Sequence, residues 1–226
     1  MEEEQSVLRW GGLAGILGGI TFILVFVVVI AFVGADPAQP EREVMRFPDI
    51  RAVRTVEDSL YLVVLILWVA HFLALYRALR ETSLAPALFG SVIGIVGFGV
   101  LAAGALPHVA SVPISELYHA PGATPEDRAT LVLLWQATEG IFDALFGVGL
   151  LLVPMGFAAL GVAMFGSPAF GKGFGRLSVA LGVAGVVAAS VLLVDPLSPS
   201  AFVGVLSLII FHLVLGWKLY SLSRVP

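Results

Sequence analysis

Apolar runs long enough to cross a lipid bilayer recur six times along the chain, and this repetition constrains the fold more than any other feature. The first run has no charged residue between Arg9 and Asp36. A membrane-spanning helix needs about 20 mainly apolar residues. Only 12% of the 226 residues are charged, whereas soluble domains have about 25%. The sequence therefore predicts an all-α, polytopic membrane helix bundle with six transmembrane helices. It excludes a soluble globular domain, a disordered chain and a nucleic-acid-binding protein.

The apolar runs place six spans in a single transmembrane domain over residues 1–226. Residues 2–4 are acidic where a signal peptide would be basic, so we expect the first span to be an uncleaved anchor. We expect a polar loop before a second helix that begins near Asp49, and a third helix that stops at Pro107. The predicted spans cover about residues 8–33, 58–80, 86–106, 143–165, 177–194 and 200–220.

The fourth helix is predicted to begin well before its span. Thr124 supplies an N-cap, Pro125 occupies the first helical position, and two acidic residues follow in the first turn. From there the helical pattern continues to Phe165, over about 41 residues or about 61 Å, whereas a bilayer core is about 30 Å thick. We expect residues 125–142 to project from the bilayer, to tilt, or to lie between other helices.

The distribution of Lys and Arg predicts the orientation of the chain. With six spans, both termini lie on one side of the membrane. That side has seven of the 12 basic residues, and the other side has five. Because short cytoplasmic loops carry the excess of Lys and Arg, we expect cytoplasmic N- and C-termini in the plasma (cell inner) membrane.

Two histidines interrupt the apolar runs. His71 and His212 each lie six residues before a basic residue, Arg77 and Lys218, so both are expected about 9 Å inside the same boundary. An ionisable residue within a bilayer is a functional hypothesis by default. The pair is a candidate for the axial ligands of haem b, for binding protons or a substrate, or for a polar contact between helices.

Polar residues near the outer end of helix four suggest a second site. Gln136, Glu139 and Asp143 share one helix face because they are three and four residues apart. The two acids repel each other unless a cation, a basic partner or a raised pKa relieves them. The candidate outer polar site comprises Gln136, Glu139, Asp143, Glu57, Asp58, Arg51 and Arg54. Alternatively, the two acids pair with arginines and hold helix two against helix four; the candidates are Arg51, Arg54 and Arg128.

The segment after the third span supplies candidate metal ligands. His108, Glu116 and His119 lie there, the last two as Glu-x-x-His. Carboxylate and imidazole groups suit zinc, manganese or iron. No bound cofactor is predicted, and haem b or a divalent metal remain alternatives.

Four segments carry a resemblance to a known family. They are the glycine-rich residues 9–19, Leu-Ala-Leu-Tyr-Arg-Ala-Leu at 73–79, residues 145–147 with 154–157, and residues 167–182. With these segments the chain resembles six-helix prokaryotic integral membrane proteins that have a domain of unknown function. The resemblance implies the same fold and an apolar residue at the position of His71. It implies no activity and no catalytic residues.

The leading hypothesis is a structural, lipid-interacting or partner-binding role. Its partners would be membrane lipids, a second copy of the chain or another membrane subunit, and no nucleic acid. Gly11, Gly15 and Gly19 are spaced for close helix packing, either within one chain or in a homodimer. The alternatives are a small transporter or permease with an outward acidic cavity, and a membrane enzyme with an outward carboxylate and histidine site. The sequence leaves open whether the protein is an enzyme.

Overall fold

The computed structural model describes residues 2–34, 39–195 and 198–224, and these residues form helices and no strand. Each of the six helices is long and apolar enough to cross a membrane, which confirms the predicted all-α fold. A π-helical turn, Val29–Val33, extends the first helix. The helices are α1 (Glu2–Val28), α2 (Pro40–Leu79), α3 (Leu84–Tyr118), α4 (Pro125–Phe165), α5 (Gly171–Val194) and α6 (Ser200–Leu222).

The six helices form a closed ring around an aromatic centre. Each helix packs against the next one in the chain, and α1 packs against α6 to complete the ring. The bulkiest fully buried side chains come from α2, α3, α4 and α6; they are Trp68, Phe72, Phe98, Phe157 and Phe211. The interior of the bundle therefore contains a group of packed aromatic rings among aliphatic side chains.

Glycines allow the helix backbones to approach closely. A Cβ atom on Gly12 would lie 2.5 Å from the backbone nitrogen of Tyr220 on α6. The three regularly spaced glycines of α1 face α2 and α6, where their neighbours include Ala74, His71 and Leu213. Because lipid offers no hydrophobic drive for helix association, such close contacts supply much of the packing. In this structure the α1 glycines therefore pack within the chain.

Helix α2 begins at Pro40 rather than near Asp49, so part of the predicted polar loop is helical. Residues 35–38 of that loop lie outside the described residues. Pro40 fits the first turn of a helix, where its missing N–H is not needed. Val44 and Phe47 are buried on one face and form a small cluster with Trp135 of α4. This long-range packing stabilises the early start of α2.

Helix α3 does not stop at Pro107 but continues to Tyr118. Pro107, Ser111, Ser115 and Tyr118 are all buried, and their spacing of four, four and three residues places them on one helix face. Burial of this face outweighs the backbone hydrogen bond that proline removes. By contrast, α4 begins as predicted, and Thr124 and Asp127 form a capping box.

Three helices are much longer than a bilayer core. The 40 residues of α2 and the 41 residues of α4 extend for about 60 Å each, and the 35 residues of α3 for about 52 Å. The 24 residues of α5 extend for only about 36 Å. The end of the bundle opposite the chain termini is named the outer end. Residues 40–57, 107–118 and 125–142, which continue past the predicted spans at this end, are named the outer extensions.

Candidate functional site

The outer extensions pack on one another through a second hydrophobic cluster. Val44, Phe47, Tyr118 and Trp135 are its buried members, and the rings of Phe47 and Trp135 meet edge to face at 5.3 Å between centroids. The polar atoms of this cluster also have partners. The indole Nε1 of Trp135 donates a hydrogen bond to Glu43 Oε2 at 3.0 Å, and the Tyr118 hydroxyl donates one to Glu41 at 3.2 Å. The extensions are therefore held together by specific contacts.

A cavity of about 310 Å³ lies between the outer extensions and is named the outer cavity. Its wall includes three acidic residues, three arginines and one histidine. These residues are Glu43, Asp58, Glu139, Arg46, Arg51, Arg54 and His108. The side chains of Trp135, Thr55 and Ser59 complete part of the wall. Basic and acidic groups thus line one space together.

Three ion pairs surround this cavity. Arg51 donates to Glu116 at 2.8 Å, Arg54 donates to Glu57 at 3.0 Å, and His108 Nδ1 lies 3.0 Å from Asp58 Oδ1. The Arg51 and Glu116 side chains are largely exposed, at 49% and 61%, so this pair is expected to add little stability. The other two pairs are mostly buried.

Burial and neighbouring charges change the acidity of groups in the outer extensions. Burial raises the pKa of Glu139, although His108 and Arg54 oppose this change with their positive charge. Burial also raises the pKa of Glu57, and Arg54 opposes it. Burial would lower the pKa of His108, but its hydrogen bond to Asp58 and the negative charge of Asp58 produce a net rise. The surroundings therefore raise the pKa of both Glu139 and His108.

The structure brings together part of the predicted outer polar site. Arg51, Arg54, Asp58 and Glu139 all line the outer cavity. Gln136 and Asp143 are exposed and line neither described cavity, and Glu57 lines a different one. Sequence reasoning missed Glu43 and Arg46, because it placed them in a loop. The apolar residues Val44 and Phe47 are three positions apart, as on one face of a helix. This spacing could have indicated that Glu43 and Arg46 also lie on a helix.

The predicted arginine partners have other contacts. Among the described residues, the structure gives no ion pair between the α4 carboxylates Glu139 and Asp143 and any arginine. Arg51 and Arg54 pair with other acids, as described above. The guanidinium of Arg128 lies 5.7 Å from the centroid of the Tyr118 ring. Helices α2 and α4 are instead joined by the cluster around Phe47 and Trp135.

The candidate metal ligands do not converge. His108 pairs with Asp58 and Glu116 with Arg51, while His119 Nδ1 donates to the backbone oxygen of Ser115 at 2.8 Å. Within residues 2–34, 39–195 and 198–224, no three His, Asp or Glu side chains are placed to hold a metal ion. The geometry therefore gives no support to the predicted Glu-x-x-His metal site.

A second cavity, of about 170 Å³, lies beside the first and is named the aromatic pocket. Its wall contains five aromatic rings from three helices: Phe22, Phe26, Tyr61, Phe142 and Phe146. Glu57, Asp58 and His108 also line it. Since Asp58 and His108 line both cavities, this ion pair forms part of the partition between them. The sequence indicates this pocket only through two aromatic pairs spaced four residues apart. One pair, Phe22 and Phe26, lies on α1, and the other, Phe142 and Phe146, lies on α4.

The intramembrane histidines meet at the centre of the bundle. His71 and His212 have 0% exposure, and their ring centroids are 5.1 Å apart. His71 Nδ1 lies 2.9 Å from the backbone oxygen of Gly11. Because a carbonyl only accepts hydrogen bonds, Nδ1 carries the hydrogen and Nε2 is an acceptor. His71 Nε2, both ring nitrogens of His212 and Trp68 Nε1 have no partner among the described residues.

Aromatic rings enclose His212. The Trp68 ring stacks on it at 4.2 Å and 5°. Rings of four phenylalanines lie 5.4–5.8 Å from its centroid: Phe72, Phe98, Phe157 and Phe211. A haem between the two histidines would have to displace several of these rings. The geometry favours a polar contact between α1 and α2 through His71, with the His212 ring of α6 packed among aromatic rings.

Comparison with known proteins identifies a family. The model of the family described as Domain of unknown function (DUF4386) matches residues 56–223, which is more than half of the chain. This match confirms the resemblance derived from the sequence. No curated protein and no solved structure matches the chain.

Proposed function

Because the chain belongs to this family, whose description gives no activity, we propose a function from the structure. The protein is a multi-pass membrane protein that binds zwitterionic lipid headgroups in its outer cavity. One observation carries this proposal: the cavity of about 310 Å³ is lined by three arginines and three carboxylates. That volume lies at the lower end of the usual range for ligand sites, about 300–1,000 Å³.

The chemistry of the cavity wall matches both charges of a zwitterion. Arginine side chains bind phosphate oxygens through several N–H groups in a fixed planar arrangement. Carboxylates such as Glu139 accept hydrogen bonds from an ammonium group. A ligand with one phosphate and one amine would therefore find partners of both signs within one cavity, whereas a purely anionic headgroup would face the carboxylates as well.

The position of the cavity supports a lipid as the source of such a headgroup. It lies between the outer extensions, at the level where α2, α3 and α4 leave their predicted spans. Phospholipid headgroups occupy the layer just outside the hydrocarbon core. We propose a location in the plasma membrane with both termini cytoplasmic, since seven of the 12 basic residues then lie inside. The cavity then faces the extracytoplasmic headgroups.

The two alternative functions have less support. A transporter needs a polar path from the outer cavity to the histidines, but buried Val64, Leu65, Phe98 and Leu101 pack within the bundle. A metal-dependent enzyme needs a ligand set, and the described residues hold no group of three. A role for a second copy or another subunit remains a proposal without a specific surface, because the α1 glycines are already used in packing.

Filling the outer cavity tests the proposal. Ser59 lines the cavity and is exposed, and its hydroxyl bonds only to the Thr55 carbonyl of its own helix. We expect Ser59→Trp to occupy the space and to remove bound phosphatidylethanolamine. The measurement is native mass spectrometry of the full chain, purified in mild detergent and mixed with phosphatidylethanolamine or phosphatidylglycerol.

The matched control is Ser190→Trp. Ser190 is also exposed and bonds to its own helix, at Val186, but it lies on α5 away from both cavities. We expect this variant to retain phosphatidylethanolamine as the parent chain does. Equal retention by Ser59→Trp and Ser190→Trp, or a parent chain that prefers phosphatidylglycerol, would contradict the proposal.

A further inference from the structure

The aromatic pocket combines aromatic rings and carboxylates in one wall. Five aromatic rings from α1, α2 and α4 surround about 170 Å³ of space, and two carboxylates lie in the same wall. An ordinary hydrophobic gap would be lined by apolar groups only. The pocket adjoins the outer cavity but has its own lining residues, so its ligand can be considered separately.

Each carboxylate of the pocket has an oxygen left over from its ion pair. Glu57 uses Oε2 to accept from Arg54, and Asp58 uses Oδ1 toward His108. Oε1 of Glu57 and Oδ2 of Asp58 take no part in these two ion pairs. These oxygens are available to a positively charged group in the pocket.

Aromatic faces attract the same kind of group. The face of a phenyl or phenol ring is negative and attracts a cation within about 6 Å of the ring centroid. Where water is excluded, this attraction contributes about 2 kcal/mol or more. Phe22 and Tyr61 lie 6.2 Å apart between centroids, and Phe142 and Phe146 lie 5.6 Å apart. Rings at such separations are neighbours in the wall, so one small cation in the pocket can lie near several of them.

We propose that the aromatic pocket binds a small alkylammonium cation, such as a quaternary ammonium group. Its volume, divided by about 30 Å³ for each water-sized group, leaves room for five or six such groups, which suits a trimethylammonium head. This ligand chemistry has two possible sources, a free amine or the headgroup of a lipid. The inference rests on the lining of the aromatic pocket and does not require the headgroup site in the outer cavity.

Choline and its neutral carbon isostere, 3,3-dimethyl-1-butanol, test this inference. The two probes have the same shape and differ in charge. Titrated into the full chain in a lipid-free uncharged detergent and followed by calorimetry, choline is expected to bind about tenfold more tightly or better, because about 1.4 kcal/mol of cation stabilisation corresponds to tenfold in Kd. Equal binding of the two probes, or no binding of choline, overturns the inference.

Two variants locate the effect. Glu57→Gln keeps the size of the side chain and removes its charge, and Phe26→Leu removes one ring. Both are expected to weaken choline binding by about tenfold, given cation interactions of this size, and to change isostere binding little. Phe89→Leu is the matched control, since Phe89 is 62% exposed and lines neither cavity. If Phe89→Leu weakens binding as much as the two pocket variants, the proposed location is wrong.

Nanodiscs of defined composition distinguish the two sources. If a lipid headgroup is the ligand, choline should compete poorly in phosphatidylcholine discs and bind well in phosphatidylglycerol discs. Equal binding in both discs indicates a free amine. Ser59→Trp separates this inference from the proposed function, because it fills the outer cavity only. Loss of lipid retention without loss of choline binding would support two distinct sites.

Discussion

His108 and His212 both stack on an aromatic ring, yet they differ in hydrogen-bond partners, in burial and in the space beside them. His108 lies 4.5 Å from the Phe142 ring, and His212 lies 4.2 Å from the Trp68 ring, measured between centroids. His108 pairs with Asp58 beside two cavities. His212 has no hydrogen-bond partner among the described residues and is completely buried.

This difference teaches how a polar side chain can serve in a membrane bundle. A buried polar atom without a partner costs about 1–3 kcal/mol, so the central cluster of Trp68, His71 and His212 is sustained by close packing around it. In the outer region, by contrast, His108 pairs with the carboxylate of Asp58, and both residues line the two cavities. Ligand binding is therefore expected in the outer region, and sensitivity to packing in the central one.

The largest expected effect comes from crowding the central histidines. A Cβ atom on Gly15 would lie 2.5 Å from His71 Nδ1 and 3.0 Å from the His212 backbone oxygen. Overpacking a well-filled interior costs about 1–3 kcal/mol. At about 2–4 °C per kcal/mol for a chain of this size, Gly15→Ala is expected to lower Tm by about 5 °C or more in scanning fluorimetry.

Gly99→Ala is the matched control for this change. A Cβ atom on Gly99 would meet nothing within 4 Å, and alanine is the better helix former by up to about 1 kcal/mol. Its Tm is expected to stay constant or to rise slightly. A similar Tm for the two variants would mean that the central region is not tightly packed, and the comparison between the regions would fail.

A smaller effect is expected from removing each central histidine in turn. His71→Leu removes the hydrogen bond to the Gly11 backbone oxygen, whereas His212→Leu removes two ring nitrogens that lack partners. A hydrogen bond contributes about 1 kcal/mol, and an unsatisfied buried group costs about as much or more. We expect His212→Leu to have a Tm about 2–4 °C above that of His71→Leu. The reverse order would indicate a bound water or ion between the nitrogens.

The smallest expected effect concerns the outer histidine and its pH dependence. The pKa of His108 is raised by Asp58 in the folded state. The stability that this pair contributes is therefore fully present below the ordinary histidine pKa, and it is lost as pH rises through the raised value. A double-mutant cycle with Asp58→Asn and His108→Gln is expected to give a coupling of about 1 kcal/mol at pH 6.

The same cycle, repeated at alkaline pH, provides the contrast. There His108 is neutral, so the coupling should approach that of a plain hydrogen bond and be smaller than at pH 6. The readout is the Tm of the parent, the two single variants and the double variant in one buffer series. A coupling that is constant over this range would show that the charge of His108 does not change within it, which would contradict the prediction.

Local sequence patterns predicted the parts of the fold that depend on local physics. The apolar runs gave six helices, and Thr124 with Asp127 marked the start of α4, because a capping box involves residues only three positions apart. The spacing of Glu139 on α4 and of Asp58 near the arginines on α2 identified four of the seven charged or titratable residues of the outer cavity. Each of these signals lies within a single helix.

Contacts between distant segments were not readable in the same way. The early start of α2 depends on Phe47 packing against Trp135, and these residues are far apart in the chain. Helix α3 passes Pro107 because the face beyond it becomes buried. The aromatic pocket is formed by side chains of three helices, so no single segment encodes it. The spacing of Glu116 and His119 suggested a metal site. In the structure Glu116 pairs with Arg51, and His119 bonds to the backbone oxygen of Ser115.

Helix α2 links the two regions of the molecule mechanically. It runs without proline from Asp49 to Leu79, and a continuous α-helix behaves as a stiff rod whose bends need a specific cause such as proline. Glu57 and Trp68 are 11 residues apart on this rod, or about 16 Å along its axis. If a ligand shifts α2 as a rigid body, Trp68 and the stacked ring of His212 are expected to move with it.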